Sequence, residues 1–311
     1  MGHHTHNKTF IAINRALLSG LFRGLGALPW PLLRGLSSFI AWLARSVVRY
    51  RVGICRSNIS SAFPEMTEQE VERTVDGFYR FLADYFIETV KLGSMDADEM
   101  KERMRFENIG EVNADLHAGR NVSIYLGHFC NWEWVSSMPL WLDLSSGAVP
   151  CQIYHPLSNV AADEVFGVIR SRFGATNLPM ASSARTLMEM TAKGIPTITG
   201  YIADQTPPGD SLHHWIPFLN HDTAVFTGAE KISRKIHAAV YYIDMRRPER
   251  NRYVGRFVKI SPDAAQEPVN ALTKTYFSML AESIRREPPL WLWTHRRWKH
   301  KRPAPSAPDE S

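Results

Sequence analysis

Two apolar runs end in residues able to do chemistry. The run VSIYLG, residues 122–127, leads into His128-Phe129-Cys130-Asn131-Trp132-Glu133, and PTITGYIA, residues 196–203, leads into Asp204-Gln205-Thr206-Pro207-Pro208. On a continuous helix, residues five apart point about 140° from one another, so His128 and Glu133 do not form the i, i+4 metal pair of a zinc protease. They meet if His128 lies in the turn after a strand and Glu133 in the first turn of a helix. Glu133 is then expected to hold and polarise the imidazole, which takes a proton from a hydroxyl. Cys130, between them, offers a thiol nucleophile and an acyl-enzyme route, a reading that rests on proximity alone.

The elements that must position these residues alternate. Residues 122–127, 150–154, 195–203, 238–244 and 253–260 read as strands; 132–142, 161–173, 184–193, 228–236 and 269–286 read as helices. Such alternation predicts an α/β fold, with a central mostly parallel or mixed sheet covered by helices. Ligands in open sheets of this kind gather beyond the carboxyl ends of the strands, where His128 and Asp204 fall. Upstream, Thr67 and Glu70 have capping-box spacing. Val71, Val75, Phe78, Phe81, Leu82, Tyr85 and Phe86 follow at helical period, predicting a helix over 68–92. Thr227 and Glu230 form a second possible capping box.

The segment Ile11 to Val48 is apolar but interrupted by Arg15, Arg23, Arg34 and Arg45. Its best window, Leu25 to Ala44, contains Arg34 and the Pro29-Trp30-Pro31 break, which makes a poor spanning helix. One or two interfacial amphipathic helices fit better; a single anchor near Leu32 to Val48, or an apolar hairpin packed on the core, are the alternatives. The expected organisation is a membrane-associated helical segment over 1–92, an α/β domain over 93–302 and a disordered tail over 303–311.

With 44% hydrophobic and 11% aromatic residues among 311, the chain is neither disordered nor a small disulfide framework. Cys55, Cys130 and Cys151 lack CxxC spacing, which supports neither disulfides nor a zinc module. Net charge is only +5, but Arg296, Arg297, Lys299, Lys301 and Arg302 crowd near the end. No nucleic-acid motif accompanies them, so a phosphate-rich lipid surface or an acidic protein is the expected partner, against the plainer reading of a solvated basic end. The three histidines of the initial MGHHTH receive no functional weight.

GHFCNWEW resembles the His-x4-Asp/Glu signature of glycerolipid acyltransferases, in the HFxNWE form of the lipid A biosynthesis acyltransferases, the late lauroyl- and myristoyl-transferases of Gram-negative bacteria. Other blocks agree in order. Arg56-Ser57-Asn58-Ile59 with Ala62-Phe63-Pro64-Glu65 is similar to N-L-x-x-A-F-P-E, and Gln152-Ile153-Tyr154-His155-Pro156 to Q-x-Y-R-P. Arg170 with Gly174 resembles R-x-x-x-G, Asp204-Gln205 the central D-Q, and Trp291 to Lys299 the closing W-x-H-x-R-W-K. His155 and Asn220 depart from the family's Arg and Gly.

The resemblance implies transfer of an acyl chain from acyl carrier protein to the hydroxyl of a 3-hydroxyacyl chain on a lipid A precursor, without cofactor or metal, at the cytoplasmic face of a bacterial inner membrane. His128 would be the base and Glu133 its orienting acid. Arg170, Asp204, Gln205 and Asn131 would contact substrate, Arg170 through phosphate or the oxyanion, while Asp204 is placed to fix Arg170 or a histidine. A lysophospholipid, ornithine lipid or other glycolipid acceptor, and a non-catalytic membrane-surface binder, are the alternatives.

Overall fold

In the computed structural model, residues 2–209 and 212–302 are described; the tail over 303–311 lies outside them. The chain opens with α1 (Gly2–Gly26), α2 (Trp30–Trp42), α3 (Val52–Ala62) and α4 (Glu68–Leu92), then α5 (Ala97–Arg103) and the short strand β1 (Met104–Glu107). There follow α6 (Ile109–His117), β2 (Val122–Leu126), β3 (Val149–Tyr154), α7 (Val160–Ser171), β4 (Thr176–Pro179), α8 (Met180–Ala192) and β5 (Thr197–Ile202). The last part holds β6 (Trp215–Phe218), β7 (His221–Ala224), α9 (Gly228–Lys235), β8 (Ala239–Glu249), β9 (Arg252–Ser261) and α10 (Ala271–Arg286).

Seven strands form one sheet in the order β1-β9-β8-β2-β5-β3-β4, with β6 and β7 a separate antiparallel pair. All pairings in the large sheet are parallel except β8 with β9. Its central strand β2 is buried at every position, as expected of a strand covered on both faces. The α/β architecture with a mostly parallel, mixed sheet is therefore the one the alternation predicts.

The helix α4 has the predicted bounds, and its capping box forms: Thr67 Oγ1 accepts from the Glu70 amide, and the Glu70 carboxylate accepts from the Thr67 amide at 2.8 Å. The second expected box does not form. Thr227 makes no capping bond; Glu230, 2% exposed, instead accepts from the Asn270 and Thr273 amides and the Thr273 hydroxyl at the start of α10. The segment expected as an α-helix over 132–142 is a 3-10 helix, Trp134–Trp141, with Pro139 inside it. Proline cannot donate the backbone bond an α-helix needs there, and Ser136 and Ser137 bond back to the Glu133 and Trp134 carbonyls. The sequence gives no expectation of β1, β4, the β6–β7 pair, α5 or α6, because segments of four to nine residues are too short to show a period.

Among the described residues, no single helix is long and apolar enough to cross a membrane, but Phe10–Gly26 and Trp30–Val47 form a pair, bent by 115°, that is long and apolar enough jointly. Leu33, Ser37 and Ala41 bury one face of α2, and Phe10, Ile13, Leu17 and Leu21 on α1, with Leu32, Phe39 and Trp42 on α2, remain exposed. Ser37 and Arg250 reach Asp84 of α4, which also pairs with Arg247. Asp84 is 3% exposed. Burial works against its charge, but the Arg250 and Arg247 guanidiniums hold its carboxyl below the usual carboxylate range.

Removing one partner of a buried ion pair leaves the other uncompensated. Asp84→Asn, which strands Arg247 and Arg250, is expected to lower the unfolding free energy by about 3–5 kcal/mol in urea titration; a loss below about 1 kcal/mol would show the cluster to be solvated.

Candidate active site

The site lies beyond the carboxyl ends of the adjacent parallel strands β2 and β5. Leu126 and Ile202 are register partners, so His128 and Asp204 stand at the same offset past the sheet. Between Leu126 and His128 the backbone passes close to its neighbours: a Cβ on Gly127 would come within 2.6 Å of a Leu280 methyl and 3.3 Å of the Asp204 carboxylate, so the buried Leu280 side chain would have to move. The chain then passes Cys130 in the left-handed region, φ 54°, a conformation that costs a non-glycine residue about 1–3 kcal/mol. Residues 290–292 clamp this turn: the Cys130 amide donates to the Leu290 carbonyl and the Leu292 amide to the His128 carbonyl.

His128 is held by Asp204 and not by Glu133. Its Nδ1 lies 2.6 Å from Asp204 Oδ1, and its amide donates to Asp204 Oδ2 at 3.0 Å. The Trp291 indole donates to the same oxygen at 2.7 Å. Asp204 is 1% exposed. Burial opposes its charge, but the His128 imidazole and these donors keep its carboxyl below the ordinary range. The carboxylate therefore keeps a proton on Nδ1, leaving Nε2 as the basic nitrogen. The Gln205 amide nitrogen lies 3.2 Å from that Nε2.

Glu133 turns to Arg170 on α7, which grips it with Nε at 2.8 Å and Nη2 at 2.6 Å. Burial lowers the affinity of Arg170 for its proton, but the Glu133 carboxylate more than restores it. Tyr85 donates to Glu133 at 3.4 Å and stacks on Trp132 at 4.1 Å between ring centroids, and Trp132 lies edge-on to His128 at 5.0 Å. The two pairs, His128–Asp204 and Arg170–Glu133, thus flank one aromatic wall. Asn131 is fully buried and bonds to Glu88 at 2.7 Å, so it makes its contacts inside the protein.

A cavity of about 230 Å³ lined by Tyr50, Arg51, Leu82, Phe86, Leu292, Thr294 and His295 adjoins this region. Burial, helped by the charge of Arg297, pushes the His295 imidazole down to about 4, so it is neutral at physiological pH. Arg297 is 2% exposed and donates to the Ala224 carbonyl; of the five clustered cations, it belongs to the core and not to a basic surface. Sequence analysis placed His295 and Arg297 in the closing W-x-H-x-R-W-K block and Tyr85 in the apolar stripe of α4, but gave none of them a place at the site, which only the fold supplies. Among the described residues, no three His, Cys, Asp or Glu side chains converge as a metal-binding set.

All three cysteines are buried and free. Burial pushes the Cys130 thiol well up, and Cys151 up to about 12, the opposite of an activated nucleophile. Native protein at mildly alkaline pH is expected to resist a thiol reagent and to titrate three thiols once unfolded; rapid native labelling of Cys130 would reopen the thiol route.

A family model described as bacterial lipid A biosynthesis acyltransferase matches residues 3–300. The chain is 24% identical over 279 residues to the lipid A biosynthesis palmitoleoyltransferase of Escherichia coli (strain K12), covering 88% of this chain and 86% of that one. It is 19% identical over 199 residues to a lipid A biosynthesis acyltransferase of Haemophilus influenzae, covering 64% and 60%. With the match running over nearly the whole length, and through both site strands, the chain belongs to the bacterial lipid A biosynthesis acyltransferase family.

Proposed function

We propose that the protein moves a fatty acyl chain from an acyl carrier protein thioester to the hydroxyl of a 3-hydroxyacyl chain on a lipid A precursor. The observation that carries this reading is the 2.6 Å bond from His128 Nδ1 to Asp204, which frees Nε2 as a base. The acceptor hydroxyl takes the place of the Gln205 amide at Nε2 and gives up its proton there as its oxygen attacks the thioester carbon. The tetrahedral intermediate then collapses, the carbon–sulfur bond breaks, and the imidazolium returns the proton to the departing thiolate. Arg170, fixed in orientation by Glu133, holds negative charge, either the acceptor's phosphate or the oxyanion. Leu82, Phe86 and Leu292 offer apolar wall for part of an acyl chain. The reading invokes no metal or redox cofactor.

The exposed apolar residues of α1 and α2 suit the headgroup boundary of a bilayer, with the nearby arginines at phosphate level. Arg296, Lys299 and Lys301 are exposed and suit an acidic carrier protein or anionic lipid. Both features fit the cytoplasmic face of the bacterial inner membrane, where the carrier-protein donor is available.

Purified protein given a panel of acyl-carrier-protein donors and a tetra-acylated lipid A precursor is expected to yield a product heavier by one acyl group in mass spectrometry. His128→Ala and Asp204→Asn should each lower turnover about a hundred- to ten-thousand-fold with little change in KM. Product formed only on a lysophospholipid or other glycolipid would replace the acceptor, and an active His128→Ala would remove the base. Binding to anionic vesicles is expected to weaken with salt and with Phe10→Ser, Leu17→Ser and Leu21→Ser combined; unchanged binding would place the membrane contact elsewhere.

A further inference from the structure

The loop that carries His128 and Glu133 is held from beneath by a carboxylate that takes no part in the chemistry above. Glu88, on α4, is 0% exposed. Its Oε2 accepts from Asn131 Nδ2 at 2.7 Å and the Tyr253 hydroxyl at 2.8 Å, and its Oε1 accepts from Asn251 Nδ2 at 2.8 Å. Asn131 in turn caps the 3-10 helix, its Oδ1 accepting from the Trp134 amide at 3.1 Å, while the Trp134 indole donates to the Glu88 carbonyl. One turn earlier on the same helix, Tyr85 touches Glu133 and Trp132.

We infer that Glu88 is a positioning residue for the catalytic loop, acting through Asn131 to fix the spacing between His128 and Glu133. The direction of both amide bonds to Glu88 is determined. The Arg34 guanidinium donates to Asn251 Oδ1 at 2.8 Å, so the Asn251 amide must present its NH2 to Glu88. Asn131 Oδ1 faces the Trp134 amide at 3.1 Å, where an NH2 would set donor against donor, so Asn131 must present its NH2 to Glu88 as well. Two amides that both donate need an acceptor facing each of them, which the two oxygens of a carboxylate supply; burial raises the Glu88 carboxyl, and the Arg247 charge with the Asn251 and Tyr253 donors works against that rise. Glutamine at position 88 cannot satisfy both: whichever way its amide turns, Asn251 or Asn131 meets another donor, and if Asn131 flips to compensate, its NH2 faces the Trp134 amide, which then keeps only the Asn131 main-chain carbonyl at 3.2 Å. Arg247, 3.9 Å from Oε1, adds a balancing charge.

The test compares Glu88→Gln, the exchanged pair E88Q/N131D, and Tyr253→Phe, by steady-state kinetics and by backbone amide hydrogen exchange. In the exchanged pair, the glutamine amide donates to the new carboxylate at 131, which still accepts from Trp134. Tyr253→Phe removes another donor to Glu88 while leaving the Asn131 bond in place. Expected are a ten- to hundred-fold lower kcat in E88Q with KM within about twofold, faster exchange confined to residues 127–134, recovery of both in E88Q/N131D, and near wild-type values in Tyr253→Phe. The inference is overturned by wild-type kcat and exchange in E88Q, by faster exchange throughout the sheet in E88Q, by an equal loss in Tyr253→Phe, or by no recovery in the exchanged pair. The kinetic arm rests on the acyl-transfer reading above. Should wild-type protein prove inactive with every donor and acceptor, that reading fails, and the exchange measurements, which need no substrate, decide the inference alone.

Discussion

Negative charge buried in an apolar interior is tolerated only where donors converge on it. The architecture of this protein follows from meeting that demand four times within one region. Asp84, Glu88, Glu133 and Asp204 are 3%, 0%, 7% and 1% exposed. Each is answered from several distant parts of the chain: Asp84 by α2 and the β8–β9 hairpin, Glu133 by α4 and α7, and Asp204 by the β2 loop and Trp291. A chain that brings one carboxylate to its donors has therefore fixed the relative placement of elements far apart in sequence.

Of these elements, α4 connects most. Within one stretch it presents Asp84 to the N-terminal helix and the hairpin, Tyr85 to the loop's acid, and Glu88 to the loop's amide. The same helix packs against α2, whose outer face is apolar and exposed. The exposed apolar face of α2 and the loop that carries Glu133 are thus joined through α4, and directly where Trp30 meets Trp134 edge-on at 6.4 Å.

Much of this was legible in the sequence, and for identifiable reasons. The bounds of α4 followed from a capping box and a strict apolar period, and the central strands from apolar runs that only a doubly covered sheet accommodates. His128 and Asp204 stood out by falling just past two such runs. The resemblance left Asp204 to fix Arg170 or a histidine, and the choice between them was not legible because strand order is a property of the fold: nothing in the runs says that β2 lies beside β5. Nearness in sequence favoured Glu133 as the partner of His128, whereas the register of parallel strands favours Asp204. Glu88 was invisible for a related reason. A glutamate inside an amphipathic helix looks like a solvated position until the hairpin carrying Asn251 and Tyr253 closes over it.

Pairing Leu126 with Ile202 has an effect on quality control. Side chains along a strand alternate between faces, so a slip of one residue between β2 and β5 would turn a neighbouring position toward His128 in place of Asp204. Such a chain would retain nearly all of its backbone bonding and apolar content and would look native by far-ultraviolet circular dichroism. On the reading proposed for His128, it would nonetheless be silent, with its imidazole unanchored. Activity in this scaffold therefore reports strand registry at the centre of the sheet, a property that bulk spectroscopic measures of folding do not resolve.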